Sequence, residues 1–428
     1  MSAPLYEALV RHAALGRASF HTPGHKNNPA ALPDGLSRLD LTELPDTGSL
    51  YDGGGPVERA EELASSLFGT ARTCLSAGGC TLCVQAMFRL AAPHGGTVLC
   101  ARNVHRSAVG AMALLGIEPV WAMPEDLVHA VDTCGADVKA VYVTSPDYYG
   151  RLLDIAAISA ACRKKDLPLL VDCAHGAHLM FTEPKLHPLL RGASMTADSA
   201  HKTLGVLTGG AWLNIADSRF AKDAKEAMAL FGSTSPSFPV LASLDLCRER
   251  LERNSGAFPV LQERVSQIRC LARSRGIPSP EGLCDPTRLA LKTSEIGLAG
   301  IQAAERFRAA GVEPEYADRS FVIFIPTPFN TEADFLRLEQ AVRRLPAGDP
   351  LPEIPSFPPL CPSVVPLREA ALAETRSAPL SRAAGETAAQ IACPCPPGIP
   401  VVMPGERISK EAAEFLRGTG IYEIKVIK

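Results

Sequence analysis

Between about residues 56 and 215 the chain alternates two kinds of segment. Short β-branched apolar runs, "GTVLCA", "EPVWAM", "VKAVYVTSP" and "LPLLVDCA", are separated by stretches with helical apolar spacing, "VERAEELASSLFG", "TLCVQAMFRLAA", "SAVGAMALLG" and "DIAAISAACRKK". Strands that alternate with helices imply βαβ units, because a parallel neighbour is reached only through a crossover. The expected fold is therefore α/β, a mainly parallel sheet with helices on both faces. Pro56 and Gly69 bracket the first of these helices as start and stop. In such sheets a ligand binds outside the carboxyl ends of the strands, so residues at those ends carry the functional question.

The rest of the chain sorts around this block. "DSRFAKDAKEAMALF" and the long "FPVLASLDLCRERLERN" read as helices, the second leaving the large domain. From about residue 270 the pattern changes to a strand "SFVIFIP", a helix "DFLRLEQAVRRL" and a final strand "GIYEIKVI", a smaller α+β domain. Within it, residues 345–367 are so rich in proline that an extended connector is expected. The expected organisation is an N-terminal segment 1–55, a large domain 56–270 and a C-terminal domain 271–428.

Charge and cysteine usage narrow the partners. A net charge of -3 over 428 residues, with no basic tract, gives no electrostatic basis for binding nucleic acid or an acidic membrane surface. No run is long and apolar enough for a membrane helix. The 13 cysteines are scattered, and Arg11 and His12 interrupt the opening segment, which does not read as a signal peptide. Reduced thiols in a cytoplasm are expected. "CTLC" at Cys80 to Cys83 has no second pair at zinc-like distance and "CPC" at Cys393 to Cys395 is too tight, so no metal is expected.

The chemistry gathers around "SAHKTL", Ser199 to Leu204. Thirty positions before Lys202, the apolar run "LPLLVD" ends in Asp172, a carboxylate at the tip of a buried strand. The plain alternative is an Asp capping the next element; a buried carboxylate instead needs a cationic partner. Pyridoxal phosphate (PLP) supplies one, since its pyridinium nitrogen must stay protonated while a lysine carries the aldehyde as a Schiff base. His175 follows on the same strand-end loop, within reach of the cofactor's phenolic oxygen. His105, after "GTVLCA", is placed to cover the ring. Gly78, Gly79 and Thr81 in "SAGGCTLCVQAM" form a small-residue turn at a helix start suited to a phosphate, with Ser199 and His201 as further donors.

These residues belong to an ordered set: "FHTPGHK", "DLTEL", "RNVHRSA", "TSPDYYG", "VDCAHGAH", "SAHKTL", "STSPS" and "PPGIPVVMPGE". In that order they resemble the Orn/Lys/Arg decarboxylases of fold type I (aspartate aminotransferase-like), in the short bacterial form without an N-terminal wing domain. The resemblance implies that Lys202 is the Schiff-base lysine, Asp172 the pyridinium partner and His105 the stacked histidine. It puts His175 near the phenolic oxygen, and Gly79, Cys80, Thr81, Ser199 and His201 around the phosphate. Ser233 and Thr234 would reach the phosphate of a neighbouring subunit, implying a homodimer with shared sites. The implied reaction is decarboxylation of arginine, lysine or ornithine to an amine, a polyamine precursor, with Lys202 or His201 returning the proton. Glu43, Asp46 and Glu406 are candidates for the carboxylate that recognises a cationic substrate side chain.

The chain departs from that family's pattern at Cys80, Asp147, Cys173, Ala200 and Cys395. Cys80 and Ala200 weaken or remove hydroxyl donors near the phosphate, at about 1 kcal/mol per hydrogen bond; the others bear on the substrate. An aminotransferase or aldolase of the same fold and a non-catalytic PLP-binding protein remain as alternatives. A nucleotide-binding module fares worst, for lack of a GxxxxGK[ST] loop or a well-placed GxGxxG turn.

Overall fold

The computed structural model describes all residues except 1, 16–20, 24, 27–30, 32–37, 255, 354 and 395–397. The departure at Cys395 lies outside the described residues. The strands, in chain order, are β1 (Arg72–Ser76), β2 (Gly96–Ala101), β3 (Ile117–Ala122), β4 (Val138–Thr144), β5 (Leu169–Asp172), β6 (Met195–Asp198), β7 (Ala211–Ile215), β8 (Leu289–Lys292), β9 (Tyr316–Ala317), β10 (Phe321–Phe324), β11 (Thr375–Pro379) and β12 (Glu423–Ile427). The first four helices are α1 (Pro4–Ala14), α2 (Gly55–Phe68), α3 (Gly79–Ala91) and α4 (Arg106–Leu115). These elements divide between two compact units.

One unit comprises residues 1–91 and 168–260. Its strands lie in the order β1-β7-β6-β5. β5 and β6 are parallel, with Asp172 opposite Ala197, while β7 runs antiparallel to both β6 and β1. Every residue of β5, β6 and β7 is buried. Covered on both faces, these strands lose the in/out alternation of a half-exposed sheet. α3 packs on β1, β6 and β7, and α2 on β1. α2 ends at Gly69, whose φ of 66° is the left-handed cap that glycine adopts without a Cβ penalty. α1 docks through the fully buried Leu5 and Leu9, and the Leu5 N–H donates to Asp245 Oδ2 at 2.9 Å.

The other unit comprises residues 92–167 and 261–428. β4, β2 and β3 form a parallel set with β2 in the middle. Pro119 is tolerated in β3 because β3 is an edge strand. A three-stranded antiparallel sheet, β8-β10-β9, and the β11-β12 ribbon complete it. Among the described residues from 346 to 362 there is no helix or strand, as the proline content dictates. No helix among the described residues is long and apolar enough to cross a membrane.

Candidate active site

β5 delivers Asp172 to its carboxyl end at 3% exposure, and Oδ1 accepts the Ala174 N–H at 3.1 Å, turning the chain. Gly176 N–H to Cys173 O, 2.8 Å, closes that turn. His175, 8% exposed, is thereby aimed at the lysine: its Nε2 lies 2.9 Å from Lys202 Nζ. Lys202 sits in a single helical turn, Ala200–Thr203, directly after β6. Its neighbour His201 places Nδ1 at 3.2 Å from Gly210 O and 3.1 Å from Ser199 Oγ. A carbonyl only accepts, so Nδ1 carries the proton and Nε2 keeps a lone pair. Burial, with the adjacent Lys202 charge, holds the His201 pKa below its usual value against the opposing Gly210 carbonyl.

The glycine turn reaches the same place. Gly79 has φ 66° at the start of α3, and its N–H donates to Gly209 O at 2.8 Å, joining the turn to the loop that follows Lys202. Cys80 occupies the first turn of α3. Burial pushes its thiol well above the usual value, reinforced by Cys83, Asp172 and Asp198 and opposed by Lys202, so the turn, the strand-end carboxylate and the lysine lie within electrostatic reach of one another. Thr81, Ser233 and Thr234 are exposed on this unit. His105 belongs to the other unit, where it is exposed and caps α4, Nδ1 accepting from Ser107 N–H at 3.3 Å. In the Lys202 unit, a lysine amine, a buried strand-end carboxylate and a glycine turn at a helix N-terminus are a donor set that fits PLP: aldehyde, pyridinium nitrogen and phosphate respectively.

Residues 3–275 match the family model "Orn/Lys/Arg decarboxylase, major domain", and residues 363–420 match the "Orn/Lys/Arg decarboxylase, C-terminal domain". The chain belongs to the Orn/Lys/Arg decarboxylase family. It is 29% identical to the arginine decarboxylase of Bacillus subtilis (strain 168) over 96% of this chain and 92% of that one. The structure of the E. coli constitutive lysine decarboxylase superposes with a TM-score of 0.82 at 18% identity, covering 100% of this chain and 82% of that one. The serine palmitoyltransferase of Sphingomonas wittichii gives a TM-score of 0.57 at 14% identity, over 69% of this chain and 79% of that one. The fold is fold type I, and the chain is an amino-acid decarboxylase of the class that acts on basic amino acids.

Two of the three distal carboxylate candidates in this decarboxylase are engaged by its own histidine and arginine side chains. Asp46 Oδ2 lies 2.8 Å from His12 Nδ1. Glu406, 2% exposed, forms a two-pronged ion pair with the fully buried Arg102, at 2.5 and 2.8 Å. The sequence marks Glu406 only as a loop carboxylate; its partner is not evident there because the pair is separated by 304 residues. Glu43 accepts only neutral donors among the described contacts, Ser49 Oγ at 2.8 Å and Leu50 N–H at 3.2 Å. Asp147 Oδ1 accepts the N–H groups of Tyr149 and Arg151 at 2.9 and 2.8 Å, and so shapes the "TSPDYYG" turn.

The decarboxylase also buries a carboxylate that the motifs do not flag. Asp198, fully buried at the end of β6, accepts from His187 Nε2 at 2.8 Å, from Asn214 Nδ2 at 2.7 Å and from the Thr196 hydroxyl. Burial alone would raise its pKa, but the electrostatic interaction with His187, together with the hydrogen bonds from His187, Thr196 and Asn214, outweighs it and holds the carboxyl below the usual 3.8. A folded value below the unfolded one contributes stability that is complete above the usual carboxylate range and is lost as pH falls through the folded value. Asp198→Asn is therefore expected to lower the denaturant midpoint at pH 7 and to narrow the gap to wild type as pH falls below about 4. A gap that stays constant with pH would contradict this.

Proposed function

We propose that this chain decarboxylates a basic amino acid, arginine being the first to test, with PLP held on Lys202. The supporting observation is the convergence at the ends of β5 and β6: Asp172 buried, His175 within 2.9 Å of Lys202 Nζ, and the Gly79 turn bonded to the loop after the lysine. When bound, PLP supplies an electron sink for the pair of electrons released as carbon dioxide departs.

Each residue then has a task. Lys202 would hold the aldehyde carbon, and its Nζ, when not so engaged, would be the amine that carries a proton. His175, whose Nε2 lies 2.9 Å from Nζ, would aim it. Asp172 would keep the pyridinium proton in place. Backbone N–H groups of Cys80 and Thr81 would receive the phosphate, aided by the Ser199 hydroxyl, while Gly79, its own N–H taken by Gly209 O, shapes the turn. His201 offers its Nε2 lone pair at neutral pH, and Lys202 or His201 returns the proton to Cα. His105 is read as the ring-covering residue. Ser233 and Thr234, exposed on this unit, are read as reaching a partner's phosphate in a cytoplasmic homodimer, and the amine product as a polyamine precursor.

Carbon dioxide release from carboxyl-labelled arginine, lysine and ornithine tests this reading. Release from one of the three by PLP-loaded protein supports it and names the substrate; release from none contradicts it. Asp172→Asn is expected to cut turnover on the order of a hundredfold or more while cofactor remains bound to Lys202. Turnover that survives the change would remove Asp172 from the pyridinium role.

A further inference from the structure

The buried Asp198 is the terminus of a hydrogen-bond chain that crosses three strands of the Lys202 unit, β1, β7 and β6. Thr73 on β1 donates to Asn214 Oδ1 on β7 at 2.6 Å, so Thr70, 2.8 Å away, donates to Thr73 in turn. Asn214 Nδ2 donates to Asp198 Oδ2 on β6 at 2.7 Å. From the other side, His187 Nε2 lies 2.8 Å from Asp198 Oδ1 and 3.7 Å from Cys173 Sγ, the residue that follows Asp172. Every proton in the chain points toward the Asp198 carboxylate, which is two residues upstream of the lysine-bearing helical turn.

Cys173, His187 and Asp198 are also the right types, at the right spacing, for a metal ion. The imidazole excludes that use. His187 Nδ1 accepts the Leu189 N–H at 3.3 Å, so Nδ1 has no proton and Nε2 carries it. A protonated nitrogen donates and cannot ligate.

Resting on the PLP reading above, we propose that Asp198 is a positioning residue for the Schiff-base lysine: a buried anion, held by His187, Asn214 and Thr196, that ties the Asp172 strand end to the Lys202 turn and sets the charge of the Lys202 amine. The ionisable groups around it are His187 on one side, Cys173 just after β5 with Asp172 at the strand's end, and Cys80 and Cys83 from α3; Lys202 follows four residues on and acts on the same Cys80. Lys202 in turn faces His175, His201 and Cys80. The thiols are held protonated: burial pushes Cys80 and Cys173 well above their usual range, with Asp198 adding to the effect. Asp172 and Asp198 are the carboxylates that act on the Cys80 thiol together with Lys202, and of the two only Asp198 has no assigned cofactor contact.

The test is the rate at which cofactor-free full-length protein captures PLP on Lys202, followed by the absorbance of the bound cofactor across pH. Capture requires the neutral amine, so the pH midpoint reports the charge on Lys202. Removing a nearby buried anion lowers that midpoint; in Asp198→Asn a downward shift of about one unit is expected. Thr196→Val keeps the charge and removes a donor from it, so its midpoint is expected to move upward, and this variant carries the test if Asp198→Asn fails to fold. A loss of folding stability alone would not move the two variants in opposite directions. An unchanged midpoint in either folded variant overturns the proposal, as does a stoichiometric zinc ion in the purified protein. Capture by wild type that survives Lys202→Ala overturns the PLP reading itself.

Discussion

Lys202→Ala is expected to remove cofactor capture and carbon dioxide release together, the latter by on the order of a thousandfold or more, while leaving the fold intact. The first half follows from chemistry: no other lysine is brought to the ends of β5 and β6 beside Asp172 and His175 among the described contacts. The second half follows from packing. Lys202 is only half-buried, and the change strips its hydrogen bond with His175, a cost of about 1 kcal/mol. Circular dichroism and a denaturation curve close to wild type, with absorbance of bound cofactor absent, are the expected pair of results. A variant that retains turnover would show that another group attaches the cofactor.

Arg102→Met is expected to cost about 3–5 kcal/mol, because it leaves Glu406 buried without its counter-ion. Arg102 is fully buried and directs its donors to one loop: Nε to Pro400 O at 2.8 Å, Nη2 to Val401 O at 3.0 Å, and the fork to both Glu406 oxygens. Trp121 lies under the guanidinium, 5.4 Å from ring centroid to Cζ. Glu406 Oε2 also accepts the Met403 N–H at 2.8 Å, so the carboxylate organises the 400–406 turn from inside. The double variant Arg102→Met, Glu406→Leu removes both charges and is expected to regain a large part of the loss, although the loop carbonyls remain without donors. Equilibrium denaturation of wild type, the single variants and the double variant closes this cycle. Additive losses would show that the two residues act independently.

The same two clusters show what could be read from the sequence. Strand ends are legible wherever a buried parallel strand makes a continuous apolar run, so "LPLLVD" announces Asp172 as a strand tip and "SAHKTL" gains meaning from its distance to it. The glycine turn before α3 is legible because only glycine takes a φ of 66° freely. Asp198 is not, although "MTAD" ends a strand in the same way as "LLVD": its partners His187 and Asn214, and Thr73 beyond them, lie on other elements, and nothing local distinguishes a capping carboxylate from a buried anion. Glu406 misleads for the same reason, since the arginine that engages it is far away in the chain. Spacing gives the backbone position of a polar residue; whether that residue is available for a substrate depends on long-range partners that spacing does not encode.

Borohydride reduction of the PLP-loaded full-length protein, followed by proteolysis and mass spectrometry, tests the central claim most directly, because it fixes the cofactor to whichever amine holds it. The account predicts one pyridoxyl group per chain, on Lys202 within the peptide that contains "SAHKTL". A label on a different lysine, or none at all, would contradict it.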